Sequence, residues 1–191
     1  MAQTRDNRTI SQFKSRLLGG GARPNLFEVE LTNLPASVTF PWQAERFGFL
    51  CKAAQLPAQT IANIDVPFRG RIFKVAGDRT IENWTITIIN DEDMIIRNAV
   101  EQWSNSINSH LGNLRSFGSA SPGQYKANAS ITHFGKTGLP LRTYTFNGLF
   151  PTEVSPIDLD WNTTDTLEEF TVTFQYDHWE VGGITGNAGG N

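Results

Sequence analysis

Residues 84–88 have the sequence Trp-Thr-Ile-Thr-Ile, in which large apolar side chains alternate with small polar ones. Alternation with a period of two is typical of a β-strand that has one buried and one exposed face. The same pattern recurs in the segments 25–33, 125–134, 142–148 and 170–176. Antiparallel strands that cover a single core have this pattern, so we predict a mainly β protein.

Two further segments lie between 33 and 84. The apolar run 47–56, which ends before Pro57, is predicted to be a strand. Residues 60–75 contain Pro67-Phe68-Arg69-Gly70-Arg71, which is typical of a turn between two strands. This hairpin is basic and has almost no large apolar alternation, so we expect it to add little to the core and to project from the body.

One amphipathic helix is predicted after residue 90. Its apolar stripe has the spacing i, i+4, i+7, i+11 and consists of Ile96, Val100, Trp103 and Ile107. We expect Asn90 or Asp91 to cap this helix and Glu92 and Asp93 to lie in its first turn, where the helix dipole favours acids. The predicted fold is therefore an antiparallel β-sandwich or barrel with one packed α-helix.

The two ends of the chain differ in composition from the middle. Residues 1–22 form a basic segment that ends in three glycines, and we expect a flexible arm with a short amphipathic helix. Residues 181–191 are rich in glycine and are expected to be a flexible tail. A single β-sandwich domain is predicted between them, over residues 23–180.

Composition excludes several classes of protein. The 191-residue chain carries 16 Lys and Arg against 19 Asp and Glu, a net charge of −3, whereas a protein that grips nucleic acid needs a clustered basic surface. The single cysteine, Cys51, excludes a disulfide scaffold and a cysteine-ligated zinc site within one chain, and we expect it to be a buried thiol. The chain has no run of about 18 apolar residues, so we predict no membrane helix. Its N-terminal charges are not followed by an apolar run, so we predict no secretory signal.

Catalytic and cofactor signatures are weak. The three histidines are not spaced as metal ligands, and His178 and its neighbour Asp177 point to opposite faces of a strand, so we predict no metal, no cofactor and no enzymatic activity. The acid pairs at 158/160 and 168/169 admit a glycosidase interpretation, but Trp161 is the one aromatic residue near them. An acidic surface is the favoured interpretation of these pairs.

Three segments resemble the tail tube protein family of T-even-type contractile-tailed bacteriophages. They are ARPNLFEVEL (22–31), FKVAGDRTIENWTITIINDED (73–93) and NGLFPTEVSPIDLDWNTTDTLEEFTVTFQYDHWE (147–180). The resemblance covers about residues 22–180 in the family's order and spacing. It implies a virion structural protein, assembled in the host cytoplasm, whose hexameric rings stack into a hollow tube. The implied partners are other copies of the chain, the contractile sheath, baseplate and terminator proteins, a tape measure protein in the lumen, genomic DNA in transit and the host envelope.

Two hypotheses about residues follow from that resemblance. A tube wall that carries Lys or Arg would retain DNA through phosphate contacts, so we expect Glu28, Glu30 and acids of the C-terminal third to include lumen residues. Lys126 is the exception among the polar strand positions, because the others are neutral or acidic and Lys126 is basic. Assembly is expected to join the basic hairpin and the basic N-terminal arm to an acidic segment of a neighbour. The candidate residues are Arg69, Arg71, Lys74, Asp158, Asp160, Glu168 and Glu169.

Two alternatives stay open from the sequence. One is the inner tube of a type VI secretion system or contractile bacteriocin, which would pass proteins or nothing. The other is a β-sandwich hydrolase or glycan-binding module. A purified protein that forms rings or tubes with rising concentration favours a tube, whereas a monomer stabilised by a ligand favours the second alternative.

Overall fold

The computed structural model describes residues 9–38, 44–116 and 120–183 of the chain. Its helices are Ile10–Arg16 (α1), Ala44–Leu50 (α2), Ile95–Ile107 (α3) and Pro122–Tyr125 (α4), with a 3-10 turn at Leu18–Gly20. Its strands are Phe27–Thr32 (β1), Cys51–Ala54 (β2), Gln59–Phe68 (β3), Arg71–Ile81 (β4), Trp84–Ile89 (β5), Ala127–Phe134 (β6), Pro140–Val154 (β7), Glu169–Gln175 (β8) and His178–Gly183 (β9).

The long strand β7 belongs to two sheets. Up to Leu149 it lies between β6 and β9, and β1 adds to β6, which gives a four-stranded sheet that we call sheet A (β1-β6-β7-β9). From Phe150 onward it pairs with β8 in sheet B (β7-β8-β5-β2). All of these pairings are antiparallel, and the predicted mainly β fold is confirmed.

The two sheets pack their apolar faces together. In β1, Val29 and Leu31 are buried while Glu28 and Glu30 are exposed, as the alternation predicts. Burial of large aliphatic and aromatic side chains of this kind contributes about 1.5–3 kcal/mol each. The largest fully buried side chains are Trp84, Trp103, Phe47, Phe146, Phe170 and Phe174.

Helix α3 packs on this core with the predicted stripe. Ile96, Val100 and Trp103 are buried and Ile107 is partly buried. The Trp103 ring lies 6.1 Å from the ring of Phe174, and its Nε1 donates to the carbonyl of Tyr125 at 2.6 Å. The buried indole N–H of Trp103 therefore has the acceptor that it needs.

The predicted cap of α3 is wrong. The helix begins at Ile95 after Met94, which has a left-handed backbone (φ 51°), and its first turn contains no acid. Asp91 and Asp93 instead form ion pairs with Arg46 of α2. Asp93 Oδ1 also accepts from the backbone N–H of Ile95 at 3.2 Å, so the two acids lie before the helix, where they bind Arg46 and one of them still satisfies the first N–H of α3.

The apolar run 47–56 is not one strand. Its first part belongs to α2, where Phe47 is fully buried, and β2 begins only at Cys51. A short apolar run cannot distinguish a buried strand from a buried helix by periodicity alone. The Arg46 ion pairs and the burial of Phe47 select the helix.

At the N-terminal end, α1 forms part of the predicted arm. Thr9 caps it through a reciprocal pair of hydrogen bonds with Gln12. Ile10, Phe13 and Leu17 are exposed. Residues 1–8 of the arm and 184–191 of the tail lie outside the described residues, and β9 continues to Gly183. The domain bounds stay predictions.

Candidate functional site

The outer side of sheet A is a continuous polar surface, which we call the Thr/Glu face. Cross-strand neighbours in one row are Glu30, Ser130, Thr145 and Glu180, taken from β1, β6, β7 and β9 in order. The face consists of Glu28, Glu30, Thr32, Asn128, Ser130, Thr132, Thr143, Thr145, Asn147, His178 and Glu180. Its carboxylates are those of Glu28, Glu30 and Glu180, and no Lys or Arg is a member.

Hydrogen bonds link the small side chains across this face. The Oγ1 atoms of Thr132 and Thr143 are 3.1 Å apart, and Asn147 Nδ2 lies 3.2 Å from His178 Nε2. The strand register brings the predicted lumen candidates Glu28 and Glu30 onto one surface with Glu180. The sequence-based hypothesis included Glu180 as one of the acids of the C-terminal third, without naming it.

Lys126, which precedes β6, is paired within the chain. Its Nζ lies 2.6 and 2.7 Å from the two carboxylate oxygens of Asp177. The strand pattern identifies Lys126 as a lone positive charge among the polar strand positions and does not reveal this partner. The two residues are 51 positions apart, and no local pattern connects them.

The hairpin β3–β4 is a separate two-stranded sheet in the described part of the chain, and almost all of its residues are exposed. Its limited contribution to the core is confirmed, but the expected lack of apolar alternation is wrong. The strand register puts five large apolar side chains on one face, which we call the hairpin apolar face: Ile64, Val66, Phe68, Phe73 and Val75. All five are exposed.

The three basic candidates of the hairpin differ in their surroundings. Lys74 Nζ is 3.2 Å from Asp65 on the opposite strand, so its charge is already partnered within the hairpin. The Arg69 guanidinium lies 5.5 Å from the centre of the Phe68 ring, and Arg71 is the cross-strand neighbour of Phe68. The two arginines therefore flank the tip of the hairpin apolar face.

The four acidic candidates line one open depression between β7 and β8. Glu169 pairs with Lys52 at 2.5 Å, and Glu168 accepts a hydrogen bond from Asn90 Nδ2 at 2.9 Å. Asp160 accepts two hydrogen bonds from Asn162. Among residues 9–38, 44–116 and 120–183, no cation forms an ion pair with Asp158 or Asp160. The acids available to an external cation are thus Asp158 and Asp160.

Large apolar side chains accompany those two acids. Leu159 and Trp161 are 81% and 97% exposed, and Leu167 of the same segment is also exposed. We call residues 156–167 the acidic loop. An indole with almost no protein contact is unusual for a folded chain and marks an interaction surface.

The structure offers little for catalysis. Burial raises the pKa of the Cys51 thiol to about 12, so it is not a nucleophile at neutral pH. His178 lies 3.6 Å from Glu180, while its neighbour Asp177 binds Lys126, so the two do not form a base and its orienter. The described residues hold no group of three or more potential metal ligands. In the same part of the chain, none of the helices has the length and apolarity to span a membrane.

Known proteins resemble the chain over most of its length. The phage tail tube protein family matches residues 22–182. The tail tube protein gp19 of Enterobacteria phage T4 is 36% identical over 163 residues, which are 85% of this chain and 93% of that protein. The tail tube protein of Serratia phage KSP90 is 25% identical over 170 residues, covering 88% and 94%.

Solved structures share the fold. A chain in the baseplate of the anti-feeding prophage has a TM-score of 0.61 at 14% identity and covers 86% of this chain and 97% of that chain. A chain in the sheath–tube complex of an extracellular contractile injection system has a TM-score of 0.59 at 16% identity, covering 93% and 99%. The sequence-based resemblance is confirmed, as are a structural role and the lack of an enzymatic one: the chain belongs to the phage tail tube protein family.

Proposed function

We propose that sheet A closes into a ring wall through its two outer strands. β1 and β9 each pair with a strand on one side only among the described residues, and a strand edge of this kind is a template for pairing with another chain. Helix α2 approaches the other side of β1, where a Cβ on Gly48 would lie 3.3 Å from the carbonyl oxygen of Val29, so α2 would have to move aside for a strand to pair there. Pairing of β1 with β9 of a neighbour would satisfy both edges. The unpaired edges of this four-stranded sheet, together with its Thr/Glu face, are the observation that carries the proposal.

The dimensions of such a ring suit a duplex. Six four-stranded sheets give about 24 strands, and a spacing of about 4.8 Å with a tilt near 40° gives a circumference of roughly 150 Å. The backbone diameter is then roughly 48 Å. Side chains of about 5 Å on each wall leave a bore of roughly 38 Å, which is wide enough for hydrated double-stranded DNA.

The Thr/Glu face is the surface that we assign to the bore. Each Lys or Arg that contacts a phosphate adds sequence-independent affinity, and a long tube repeats every contact many times. The Thr/Glu face consists mainly of Thr, Ser and Asn side chains with three glutamates, so a passing phosphate meets no Lys or Arg on it. Sheet B also has an outer polar face, but it includes the Lys52–Glu169 pair and lies beside the acidic loop.

Ring-to-ring contact is assigned to the hairpin and the acidic loop. The hairpin offers Arg69 and Arg71 beside exposed phenylalanines, and the acidic loop offers Asp158 and Asp160 beside Trp161. The two surfaces have opposite charges, and each also carries exposed apolar side chains. Docking would therefore bury apolar side chains that a lone subunit exposes. Lys74, Glu168 and Glu169 have a weaker claim because each already has a partner.

The proposed setting is the tail of a virion. Its tube would be surrounded by a contractile sheath, attached to baseplate and terminator proteins, filled by a tape measure protein before DNA passes, and driven through the host envelope after assembly in the host cytoplasm. The identity to phage tail tube proteins favours this over a secretion or bacteriocin tube, since the injection-system structures show the fold alone.

Electron microscopy of the purified protein at rising concentration tests the proposal. Six-membered rings or tubes with the Thr/Glu face lining the bore are the expected result. A ring reconstruction with Glu28, Glu30 and Glu180 on the outer wall would overturn the lumen assignment. A particle that stays monomeric at all concentrations, with and without added baseplate template, would overturn the assembly itself.

A further inference from the structure

The ion pair between Lys126 and Asp177 lies at the border of the Thr/Glu face. Lys126 has the same strand parity as Asn128 and Ser130 and precedes them by one row. Its side chain is only 20% exposed, and both carboxylate oxygens of Asp177 accept from its Nζ. The one lysine that follows the parity of this face is therefore neutralised by two close contacts.

The backbone around β7 is shaped to hold Asp177 in that position. The N–H of Asp177 donates to the carbonyl of Asn147 at 3.0 Å, which fixes the turn between β8 and β9 against β7. The next residue, Gly148, has φ +69°, and a Cβ on it would lie 2.7 Å from Asp177 Cγ. Asp177 can cross β7 and reach Lys126 only because residue 148 has no side chain.

The lysine is held from its other side as well. Its Nζ lies 5.9 Å from the centre of the Phe150 ring, which in turn packs edge-on against Tyr125 at 5.9 Å. The backbone N–H of Lys126 donates to Pro122 and ends α4. Both partners are thus positioned by separate elements of the fold, unlike a pair of long side chains that meet by chance on a surface.

We propose that Asp177 masks Lys126 so that the bore presents no unpaired cation to nucleic-acid phosphates. This inference rests on the proposed assignment of the Thr/Glu face to the bore. A lysine bound by a carboxylate interacts with a phosphate as a weak dipole, whereas a free lysine interacts as a full charge. Asp177 is then a residue that sets what the tube releases.

The effect of unmasking is amplified by symmetry. One freed lysine per subunit gives six per ring, and a protein that neutralises 6–10 phosphates loses about 10³–10⁵-fold in affinity between 50 and 200 mM salt. DNA held by freed lysines is therefore retained at low salt and released steeply as salt rises. This salt dependence distinguishes phosphate contacts from simple trapping.

The test uses tubes assembled in the presence of short linear duplex DNA and then separated from free DNA. Asp177→Asn tubes are expected to retain nuclease-protected DNA at 50 mM salt, and the retained amount should fall at least tenfold at 200 mM. Wild-type tubes are expected to retain little DNA at either salt concentration. Lys126→Gln/Asp177→Asn tubes are expected to behave as the wild type. Glu153→Gln is the matched control, because it removes one exposed carboxylate per subunit outside the Thr/Glu face.

Equal retention by Asp177→Asn and Glu153→Gln would overturn the inference, since net charge alone would then explain it. DNA that is retained but open to nuclease would overturn it too, because Lys126 would lie outside the bore. If Asp177→Asn subunits fold without assembling, elution of folded subunits from a phosphate resin replaces the tube assay, and elution at the same salt as Glu153→Gln counts against masking. Failure of wild-type subunits to form tubes contradicts the proposed function instead.

Discussion

The indole of Trp84 stacks on the ring of Phe146 with their centroids 4.4 Å apart, and this contact joins sheet B to sheet A. Phe146 lies in the half of β7 that belongs to sheet A, and its ring also meets Tyr176 edge-on at 5.0 Å. Trp84 has its indole N–H bonded to the carbonyl of Gln55 at 2.8 Å. The centre of the sandwich is therefore an aromatic cluster with its polar atom satisfied.

Replacement of Phe146 by alanine should remove much of the stability of the subunit. The side chain is fully buried, so the loss combines burial energy with a cavity, and we expect the free energy of unfolding to fall by about 3–5 kcal/mol. Denaturant unfolding of unassembled subunits measures it. Phe73→Ala in the hairpin is the control, because Phe73 is 66% exposed, and it should stay within about 0.5 kcal/mol of wild type. Similar losses in both variants would contradict the described core.

Gly148→Ala tests whether the bend of β7 depends on glycine. The alanine would have to adopt φ +69° and would collide with the carboxylate of Asp177, so we expect about 2–3 kcal/mol of destabilisation. Gly138→Ala is matched to it, because Gly138 has φ +79° with nothing near its Cβ, and it should cost about 1 kcal/mol. Equal costs would mean that Asp177 moves aside freely. Thermal unfolding of the two variants side by side gives the comparison.

The strand faces were predictable from the sequence because the parity of a strand depends only on local alternation. Val29 and Leu31 point inward and Glu28 and Glu30 outward for the same reason. The Lys126–Asp177 pair was not predictable, because it depends on β7 lying beside both the start of β6 and the turn before β9. An Asn-Gly step inside a strand pattern, at 147–148, was the one local signal of an irregularity there.

The prediction of the α3 cap was wrong for a related reason. Asp91 and Asp93 have the local signature of helix-terminal acids, but Arg46 is 45 positions away from Asp91 and binds both of them. The prediction that the hairpin lacks apolar alternation is wrong for a different reason. The alternation at 64–68 and 73–75 is present in the sequence, but apolar side chains were expected to face the core, and these are exposed. Exposed alternation of this kind indicates a surface that another subunit covers.

Acid should weaken the contribution of the Arg46–Asp91 pair. The hydrogen bond from Arg46, supported by the backbone N–H of Glu92, lowers the pKa of the Asp91 carboxyl below its ordinary value of 3.8. A carboxyl whose folded pKa is depressed stabilises the fold above that ordinary value and loses its contribution as pH falls through the folded pKa. The stability difference between wild type and Asp91→Asn should therefore be largest above pH 4 and shrink below it.

Unfolding by denaturant at pH 7 and at several pH values below 4 measures that difference. Asp165→Asn is the control, since Asp165 is exposed and lies in the acidic loop, and it should match wild type throughout. A difference between wild type and Asp91→Asn that stays constant down to the lowest pH would show that the ion pair does not couple to folding.

Charge reversal at the hairpin tip tests the proposed ring-to-ring contact. Arg69→Glu/Arg71→Glu places like charges opposite Asp158 and Asp160 of a neighbour, so we expect the concentration needed for tube formation to rise about tenfold or more at low salt. Sedimentation of tubes across a concentration series measures this. Arg23→Glu/Lys136→Glu changes the net charge equally at exposed sites away from the hairpin and should assemble as the wild type.

A charge swap identifies the partner surface. The quadruple variant with Arg69→Glu, Arg71→Glu, Asp158→Lys and Asp160→Lys restores opposite charges across the contact, and it should assemble at close to the wild-type concentration. Added salt should weaken the wild-type contact and relieve the repulsion in the double variant, because both effects are electrostatic. If the double variant assembles normally, the hairpin charges take no part in stacking; if the swap fails to rescue it, the arginines contact a surface other than the acidic loop.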